Sequence, residues 1–540
     1  MGPAQVAVSG VMIKCHFVCI SIMLGLRRSC AGTKNYKNKH WRFTLPTAYW
    51  QRTALSVALS TFMLTGCLSG GGGGGGGGSS SPAQPGAATR VHDSRTFTAE
   101  LPVTLPSALQ GSQIYFGKYD ALQGEAIYAV EVPNNWDGRG VIMWTHGYAG
   151  TGAELDVPMP SDGWREAVIN AGYAWAASSY SANWYDARAG IEDTNKLALN
   201  FVDYVERDYS QRLDTPSQYL ISGISMGGHI AAAAVDRENL ERTLFQVPYA
   251  GAAPFCQSDQ NEFQWLGDYT RLMLQIAGYD EEDYPQFRDL AGTFEPYFTI
   301  ERIATAGPMV TALFNTYPGG SPNWGSPKNP DGQRLIDIAR NLTGGERPVF
   351  AQGFNFIFND VVLGTGGSDG TVNGILASNI YDNQTRVYRW TDDPTPTPEE
   401  ELFNQNVPRL SADPNANPLR DDGVRWIPLV NGDFDVPVLT MHTLGDFYVP
   451  FRHQQLYLER AIDNGNDDLL VQRAIRAQSH CDFSAGEYSA AITDWLTWVN
   501  GGSKPAGDDV LDPVAIADAD YGCRFTVGVR SGVPACTPPP

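Results

Sequence analysis

The chain has 540 residues, 42% of them hydrophobic, and a formal net charge of −21. Residues 1–66 carry eight Lys/Arg and no acidic residue, so the part after residue 66 carries −29. This acidic balance excludes a basic surface for nucleic acid, while the apolar share is ample for a large buried core.

The N-terminus has the pattern of a targeting segment. Arg52 precedes an apolar run, Ala54 to Leu64, that is too short to span a bilayer. The run ends in Leu64-Thr65-Gly66-Cys67, which resembles a bacterial lipobox and implies that Cys67 becomes the lipidated first residue. A plain secretory signal with a chance cysteine is the alternative. Leu68 follows the cysteine, and the absence of Asp there resembles lipoproteins of the outer membrane.

An unbroken glycine run, Gly70 to Gly78, follows the cysteine. Such a run cannot bury a core and behaves as a flexible coil, so it is typical of a tether. We assign residues 1–66 to the targeting segment and residues 67–90 to the anchor cysteine and tether. The protein is therefore expected to be exported to the cell envelope and anchored in the outer membrane, or secreted. The lipid is the only membrane contact expected.

Strands and helices alternate in the next part of the chain. Polar and apolar residues alternate within residues 97–133, which predicts opening antiparallel strands. The elements that follow are a strand at 141–145, a helix from Asp162 to Ala171, a strand from Gly172 to Tyr180, a helix with Leu197, Phe201 and Val205 on one face, and strands at 217–222 and Phe245 to Ala253. This order predicts an α/β fold, with a mostly parallel central sheet and helices on both faces.

Gly223-Ile224-Ser225-Met226-Gly227 reads G-x-S-x-G, between an apolar run and a small-residue helix pattern, Gly228 to Val235. A strand, a sharp turn and a helix would lift the Ser225 hydroxyl above the sheet edge. The helix start behind it offers unpaired N–H groups and a positive dipole end, which favour a developing oxyanion. The alternative is a plain Gly/Ser turn before a helix.

An acid and a histidine follow in suitable places. The apolar strand Val436 to His442 runs into Asp446, which is placed to orient a histidine or, alternatively, to act as a turn residue or helix cap. Only His480 lies in a loop between a late strand and the last helix, Ala485 to Val499. The other histidines after the targeting segment are excluded by position: His92 and His146 precede the serine, His229 lies in the helix after it, His442 in a strand, and His453 in a helix.

The β-α pattern stops between residues 257 and 429. Aromatic-rich helical stretches at Phe263 to Ile276, Tyr284 to Ala304 and Gln333 to Leu342 are separated by loops rich in Gly, Pro and Asn. We interpret residues 257–429 as a mainly helical cap insertion that covers the site, and residues 91–256 and 430–505 as the core. Residues 506–540 form a loop-like, weakly packed tail.

Four cysteines lie in the exported part of the chain: Cys256, Cys481, Cys523 and Cys536. An even number in an oxidising compartment predicts two disulfides, and three pairings are possible. We favour Cys256–Cys481, which would fix the loop of the adjacent His480, together with Cys523–Cys536. A metal site is not expected, because the chain has no C-x-x-C motif and no histidine cluster.

These motifs resemble those of secreted bacterial α/β-hydrolases of the serine esterase superfamily. The resemblance spans roughly residues 110–505 and rests on His146-Gly147-Tyr148, the G-x-S-x-G motif with Gly228, Leu444-Gly445-Asp446, and His480-Cys481. It implies a Ser225–His480–Asp446 triad and an oxyanion hole formed by the backbone N–H groups of Tyr148 and Met226. His146 is then expected to shape the loop rather than to catalyse.

Two narrower groups share some of these features. Met226 and Tyr148 also resemble polyester hydrolases and cutinases, but those enzymes lack a large cap. A cysteine beside the histidine resembles tannases and feruloyl esterases, in which the partner cysteine adjoins the serine, whereas Ile224 and Met226 stand there in this chain.

The sequence as a whole predicts a hydrolase of carboxylic esters, small or polymeric, that works through an acyl-enzyme and needs no cofactor. Two alternatives stay open. The same triad could cleave amides or peptides, or the protein could be a binding lipoprotein that has kept the fold without the activity.

Overall fold

The computed structural model describes residues 95–101, 105–278, 300–365 and 380–536. The chain divides into two units, residues 1–79 and 80–540, and all described residues belong to the second. The predicted targeting segment, Cys67 and the glycine tether lie outside the described residues. Within the described ranges, no helix combines the length and the apolar composition needed to cross a bilayer.

An eight-stranded sheet forms the centre of the described chain. Its strands are β1 (Ser112–Asp120), β2 (Glu125–Pro133), β3 (Val141–Thr145), β4 (Ala174–Ser178), β5 (Tyr219–Ile224), β6 (Tyr249–Phe255), β7 (Val438–Thr443) and β8 (Leu470–Ile475). Their order across the sheet is β1-β2-β4-β3-β5-β6-β7-β8, and only β2 runs against the others. A mostly parallel sheet of this kind is consistent with the α/β-hydrolase fold.

Twelve helices are described. They are α1 (Asp162–Asn170), α2 (Ala187–Tyr209), α3 (Met226–Ala234), α4 (Arg237–Arg242), α5 (Glu262–Ala277), α6 (Ile300–Leu313), α7 (Pro330–Leu342), α8 (Phe350–Thr365), α9 (Pro398–Asn406), α10 (Arg452–Asn464), α11 (Ala485–Val499) and α12 (Pro513–Ile516). Leu197, Phe201 and Val205 of α2 are all fully buried, as their spacing predicts.

Both faces of the sheet are buried, because successive residues of each strand point to opposite sides. Val141 and Met143 of β3 join a core with α2, α3 and α10, whereas Ile142 and Trp144 join a second core with α1 and α11. Helices therefore cover both faces, as predicted. The parallel strands end at one common edge, and the loops that leave this edge carry the residues singled out by sequence.

Two short strand pairs were not predicted. Ser112–Asp120 and Glu125–Pro133 are antiparallel as predicted, but Thr98–Ala99, in the same predicted span, pairs in parallel with Glu154–Leu155. Phe314–Thr316 forms a hairpin with Pro322–Pro327 between β6 and β7. Strand β6 begins four residues later than predicted and ends two residues later, at Phe255. Pro248 explains the later start, because proline has no N–H to contribute to a ladder.

The helices between β6 and β7 have an aromatic core of their own. Trp265 and Tyr269 of α5 pack with Phe354 and Phe358 of α8, and Phe447, from the loop after β7, lies in the same cluster. Residues 279–299, which include most of one predicted helical stretch, lie outside the described residues. These helices are thus packed on the loop that carries Asp446.

The C-terminal tail is better packed than the sequence suggested. Val510, Ile516 and Tyr521 are buried together with Leu444 and Phe451, which follow β7. The expectation of a weakly packed tail was wrong, because these apolar side chains are spaced irregularly and show no helix or strand period.

Candidate active site

Ser225 stands in a strained turn between β5 and α3. Its backbone has φ +57° and ψ −125°, a conformation that a non-glycine residue adopts only under constraint from its surroundings. A Cβ atom on Gly223 would lie 2.0 Å from the Thr145 hydroxyl, and one on Gly227 would lie 2.0 Å from the Thr145 carbonyl oxygen. The turn can therefore pass β3 only with glycine at both positions, which accounts for the motif.

Three side chains converge above this edge of the sheet. His480 Nε2 lies 2.7 Å from Ser225 Oγ, and His480 Nδ1 lies 2.6 Å from Asp446 Oδ2. A carboxylate only accepts, so Nδ1 carries the proton and Nε2 is free to accept from the Ser225 hydroxyl. This arrangement can deprotonate the serine and return the proton to a leaving group.

Asp446 is fully buried, whereas the His480 side chain is 20% exposed. The second oxygen of Asp446 accepts a hydrogen bond from the backbone N–H of Val449 at 3.0 Å. The loop of Asp446 also holds the loop of His480, because the Thr443 hydroxyl donates to the Ser479 carbonyl at 2.8 Å and the Gly445 N–H donates to the Ala477 carbonyl at 2.9 Å. The imidazole is oriented by side-chain and backbone contacts together.

A disulfide joins the sheet to the histidine loop. Cys256, which follows β6, is bonded to Cys481, and both residues have left-handed backbones, with φ +36° and +51°. The Cys256 N–H donates to the Met441 carbonyl of β7 at 2.7 Å. Cys523 and Cys536 form the second disulfide. The structure thus has the two pairings that the sequence favoured.

The loop after β3 approaches the serine closely. A Cβ atom on Gly147 would lie 3.2 Å from Ser225 Cβ, so glycine permits this approach. Met226 begins α3, and its backbone N–H lies at the helix N-terminus, where unpaired amides and the positive dipole end favour an anion. Tyr148 follows Gly147 and is partly buried. The oxyanion roles of these two amides stay predictions.

His146 and Tyr180 clamp this loop. His146 Nδ1 lies 2.7 Å from the Gly147 carbonyl oxygen, and the Tyr180 hydroxyl donates to the His146 carbonyl at 3.0 Å. The two rings stack with their centroids 4.0 Å apart. Burial lowers the pKa of His146, so the ring is neutral and donates from Nδ1. Since a peptide is planar, fixing the Gly147 carbonyl also fixes the direction of the Tyr148 N–H.

Two further rings lie close to Ser225, His480 and Asp446. The Tyr448 ring lies 5.6 Å from the His480 ring, and burial, together with Asp360 and Asp446, raises the Tyr448 pKa to about 12. Burial lowers the pKa of His442 to about 4, so this ring stays neutral behind Asp446. Sequence reasoning missed Tyr180 and Tyr448, which have no motif; only their distance to the loops reveals them.

Within the described chain, one group of three potential metal ligands lies close together: Cys256, His480 and Cys481. Both sulfurs are in the disulfide, and a metal requires thiolates. The same imidazole is already engaged by Ser225 and Asp446.

Comparisons with known proteins find hydrolases. No protein-family model matches the chain. A stretch of 89 residues is 37% identical to the o-phthalyl amidase of Xanthobacter agilis and covers 16% of this chain but only 20% of the amidase.

Among solved structures, the acylaminoacyl peptidase of Pyrococcus horikoshii is 10% identical with a TM-score of 0.32, over 75% of this chain and 44% of the peptidase. A thermostable esterase from Pseudomonas putida is 12% identical with a TM-score of 0.32, over 73% of this chain and 84% of the esterase. The strand order of the central sheet and the turn at Ser225 are themselves consistent with the α/β-hydrolase fold.

Proposed function

We propose that the protein is a serine hydrolase that cleaves carboxylic esters through Ser225, His480 and Asp446. The continuous chain of short contacts from Asp446 through the imidazole to the Ser225 hydroxyl carries this proposal. His480 takes the serine proton, Ser225 attacks the ester carbonyl, and the amides of Tyr148 and Met226 stabilise the oxyanion. His480 then protonates the leaving alcohol, and water releases the acyl group.

The inserted helices support a cap role in this proposal. Arg347, which precedes α8, donates through Nε to the Leu444 carbonyl at 2.8 Å, beside Asp446. A Cβ atom on Gly353 of α8 would lie 2.1 Å from the Gly445 carbonyl oxygen, so the helix backbone lies directly on the acid loop. Helices in this place would supply apolar walls for the substrate and exclude water from the acyl-enzyme.

The test is the loss of the nucleophile. We expect Ser225→Ala to lower kcat on p-nitrophenyl esters by on the order of 10⁴- to 10⁶-fold, because the acyl-enzyme can no longer form. Ser222→Ala, at a buried position within β5, is the matched serine control, and it should retain activity where it folds. Equal turnover by wild type and Ser225→Ala would reject the proposal.

Amide cleavage is the second candidate. The identity to an amidase over 89 residues favours it, although that stretch is one fifth of the amidase. The same triad serves both bonds, so the discriminating experiment is a matched panel of esters and amides of the same acyl groups. If the protein hydrolyses the amides and not the esters, the proposed function changes from an esterase to an amidase.

A binding protein without activity would fail both panels. A fluorophosphonate reacts only with an activated serine hydroxyl, so it should label wild type and leave Ser225→Ala unlabelled. An unlabelled wild type would favour the binding function.

We also propose that the protein is exported, with Cys67 as the lipid anchor. The two disulfides support an oxidising compartment. Metabolic labelling with a radioactive fatty acid should tag wild type and leave Cys67→Ser untagged. A tagged Cys67→Ser variant would contradict this anchor.

A further inference from the structure

The described part of the tail, residues 506–536, lies along the last strand of the sheet. The Asp508 N–H donates to the Gln472 carbonyl at 2.8 Å, and the Asp508 carboxylate accepts from the Ala474 N–H at 2.8 Å. Strand β8 is the edge of the sheet, so these contacts satisfy backbone groups that have no neighbouring strand. The tail is therefore joined to the strand that leads directly to His480.

The histidine loop, defined as residues 476–484, begins at Arg476, and the tail surrounds that residue. The Arg476 N–H donates to the Thr526 hydroxyl at 2.9 Å. Its guanidinium donates to the carbonyls of Ala519 at 2.7 Å, Tyr521 at 3.1 Å and Pro534 at 3.1 Å. Arg476 is 2% exposed, so the first residue of the histidine loop is enclosed by tail backbone on several sides.

The far end of the histidine loop is held by Arg530 of the tail. Its guanidinium donates to the Asp482 carbonyl at 2.8 Å and forms a salt bridge with Glu487 at 2.6 Å. The Glu487 side chain is fully buried and also accepts from the N–H of Ser484, the last residue of the loop, at 2.7 Å. Arg530 thus reaches the loop both directly and through Glu487.

We infer that the tail is a brace that positions His480, with Arg530 as its main positioning residue. The proposal rests on the proposed function, in which His480 is the catalytic base. The histidine loop has no helix or strand of its own, so ordering its backbone costs conformational entropy that contacts with other segments must offset. The Asp446 loop and Cys256 hold one side of it, and the tail holds the other.

The second disulfide extends the same brace. Cys523 lies three residues before Thr526, and Cys536 lies two residues after Pro534, so the bond closes the segment that carries Arg530. A closed loop restricts the positions that Arg530 can take. The expected effect of opening it is a looser histidine loop.

The test compares Arg530→Ala with Arg524→Ala, which removes the same side chain from an exposed tail position that contacts Gly507 and Phe525 within the tail. A misplacement of about 1 Å at a reacting group lowers rates by on the order of 100-fold. We expect Arg530→Ala to lower kcat by about 10- to 100-fold with KM changed less than about twofold. Arg524→Ala should match wild type, and Arg530→Lys should restore part of kcat by keeping the charge beside Glu487.

Amide hydrogen exchange of peptides covering residues 477–483 gives a readout that needs no substrate. We expect faster exchange than in wild type for both Arg530→Ala and the double variant Cys523→Ser/Cys536→Ser. If Arg530→Ala does not fold, the double variant serves as the test. Wild-type kcat and wild-type exchange in a folded variant would overturn the brace. If the wild type has neither esterase nor amidase activity, the proposed function is wrong. The hydrogen-exchange comparison still tests whether the tail holds the histidine loop.

Discussion

Removal of the Cys256–Cys481 disulfide should cost more stability than removal of the tail disulfide. The two cysteines are 225 residues apart in sequence, against 13 for Cys523 and Cys536. The entropy of loop closure in the unfolded chain gives about 5 kcal/mol for the long loop and about 3 kcal/mol for the short one. The double variant Cys256→Ser/Cys481→Ser should therefore unfold at a lower guanidinium concentration than the double variant Cys523→Ser/Cys536→Ser.

The same variant should also lose activity while still folded. Cys481 directly follows His480 and is held at φ +51°, a conformation that serine would leave once the bond is gone. We expect kcat on p-nitrophenyl acetate to fall by about tenfold or more at a temperature where circular dichroism shows a folded protein. The reasoning is refuted if the variant has wild-type kcat, or if its unfolding midpoint equals or exceeds that of Cys523→Ser/Cys536→Ser.

Two further predictions follow from buried groups. Tyr180→Phe removes the hydroxyl that donates to the His146 carbonyl, so kcat on p-nitrophenyl esters should fall by about tenfold at constant KM. An unchanged kcat would show that this hydrogen bond does not contribute to catalysis. Burial raises the pKa of Asp236 to about 7 in the folded protein. Between the pKa of Asp236 in the unfolded chain and pH 7, the folded state therefore binds more protons than the unfolded state, and the free energy of unfolding falls as pH rises. Asp236→Asn should remove that loss of stability. Between pH 4.5 and pH 7.5, the guanidinium concentration at the unfolding midpoint should therefore rise for the variant relative to wild type. Parallel midpoint curves would show that Asp236 does not titrate in this range.

Much of the site was readable because its parts are local. Thr145 lies so close to the serine turn that Gly223 and Gly227 leave no room for a side chain, and both glycines lie within the five-residue motif. The motif therefore shows this steric requirement directly in the sequence. Asp446 follows a strand of apolar residues, and His480 is the one histidine left in a late loop. The pairings of the four cysteines that the structure describes also match the favoured prediction.

Other parts of the site have no local signal. Tyr180 acts on the loop after β3 from the end of β4, and it is adjacent only because β3 and β4 pair in the sheet. Arg530 contacts Asp482, in the loop of His480, from 48 residues further along the chain, and it lies in a tail without a period in its hydrophobic pattern. Neither residue type is unusual, so nothing in the sequence distinguishes them from surface residues.

The sequence by itself determined the alternation of strands and helices and the chemistry of the serine turn, because both are set by neighbours within a few residues. Tertiary structure decided the rest: how close His480 comes to Ser225, which tyrosine contacts the loop after β3, and which tail residues contact the histidine loop. These contacts join residues far apart in the chain, and their geometry depends on strand order and on how loops pack at one edge of the sheet. A linear pattern of residue types does not contain that information.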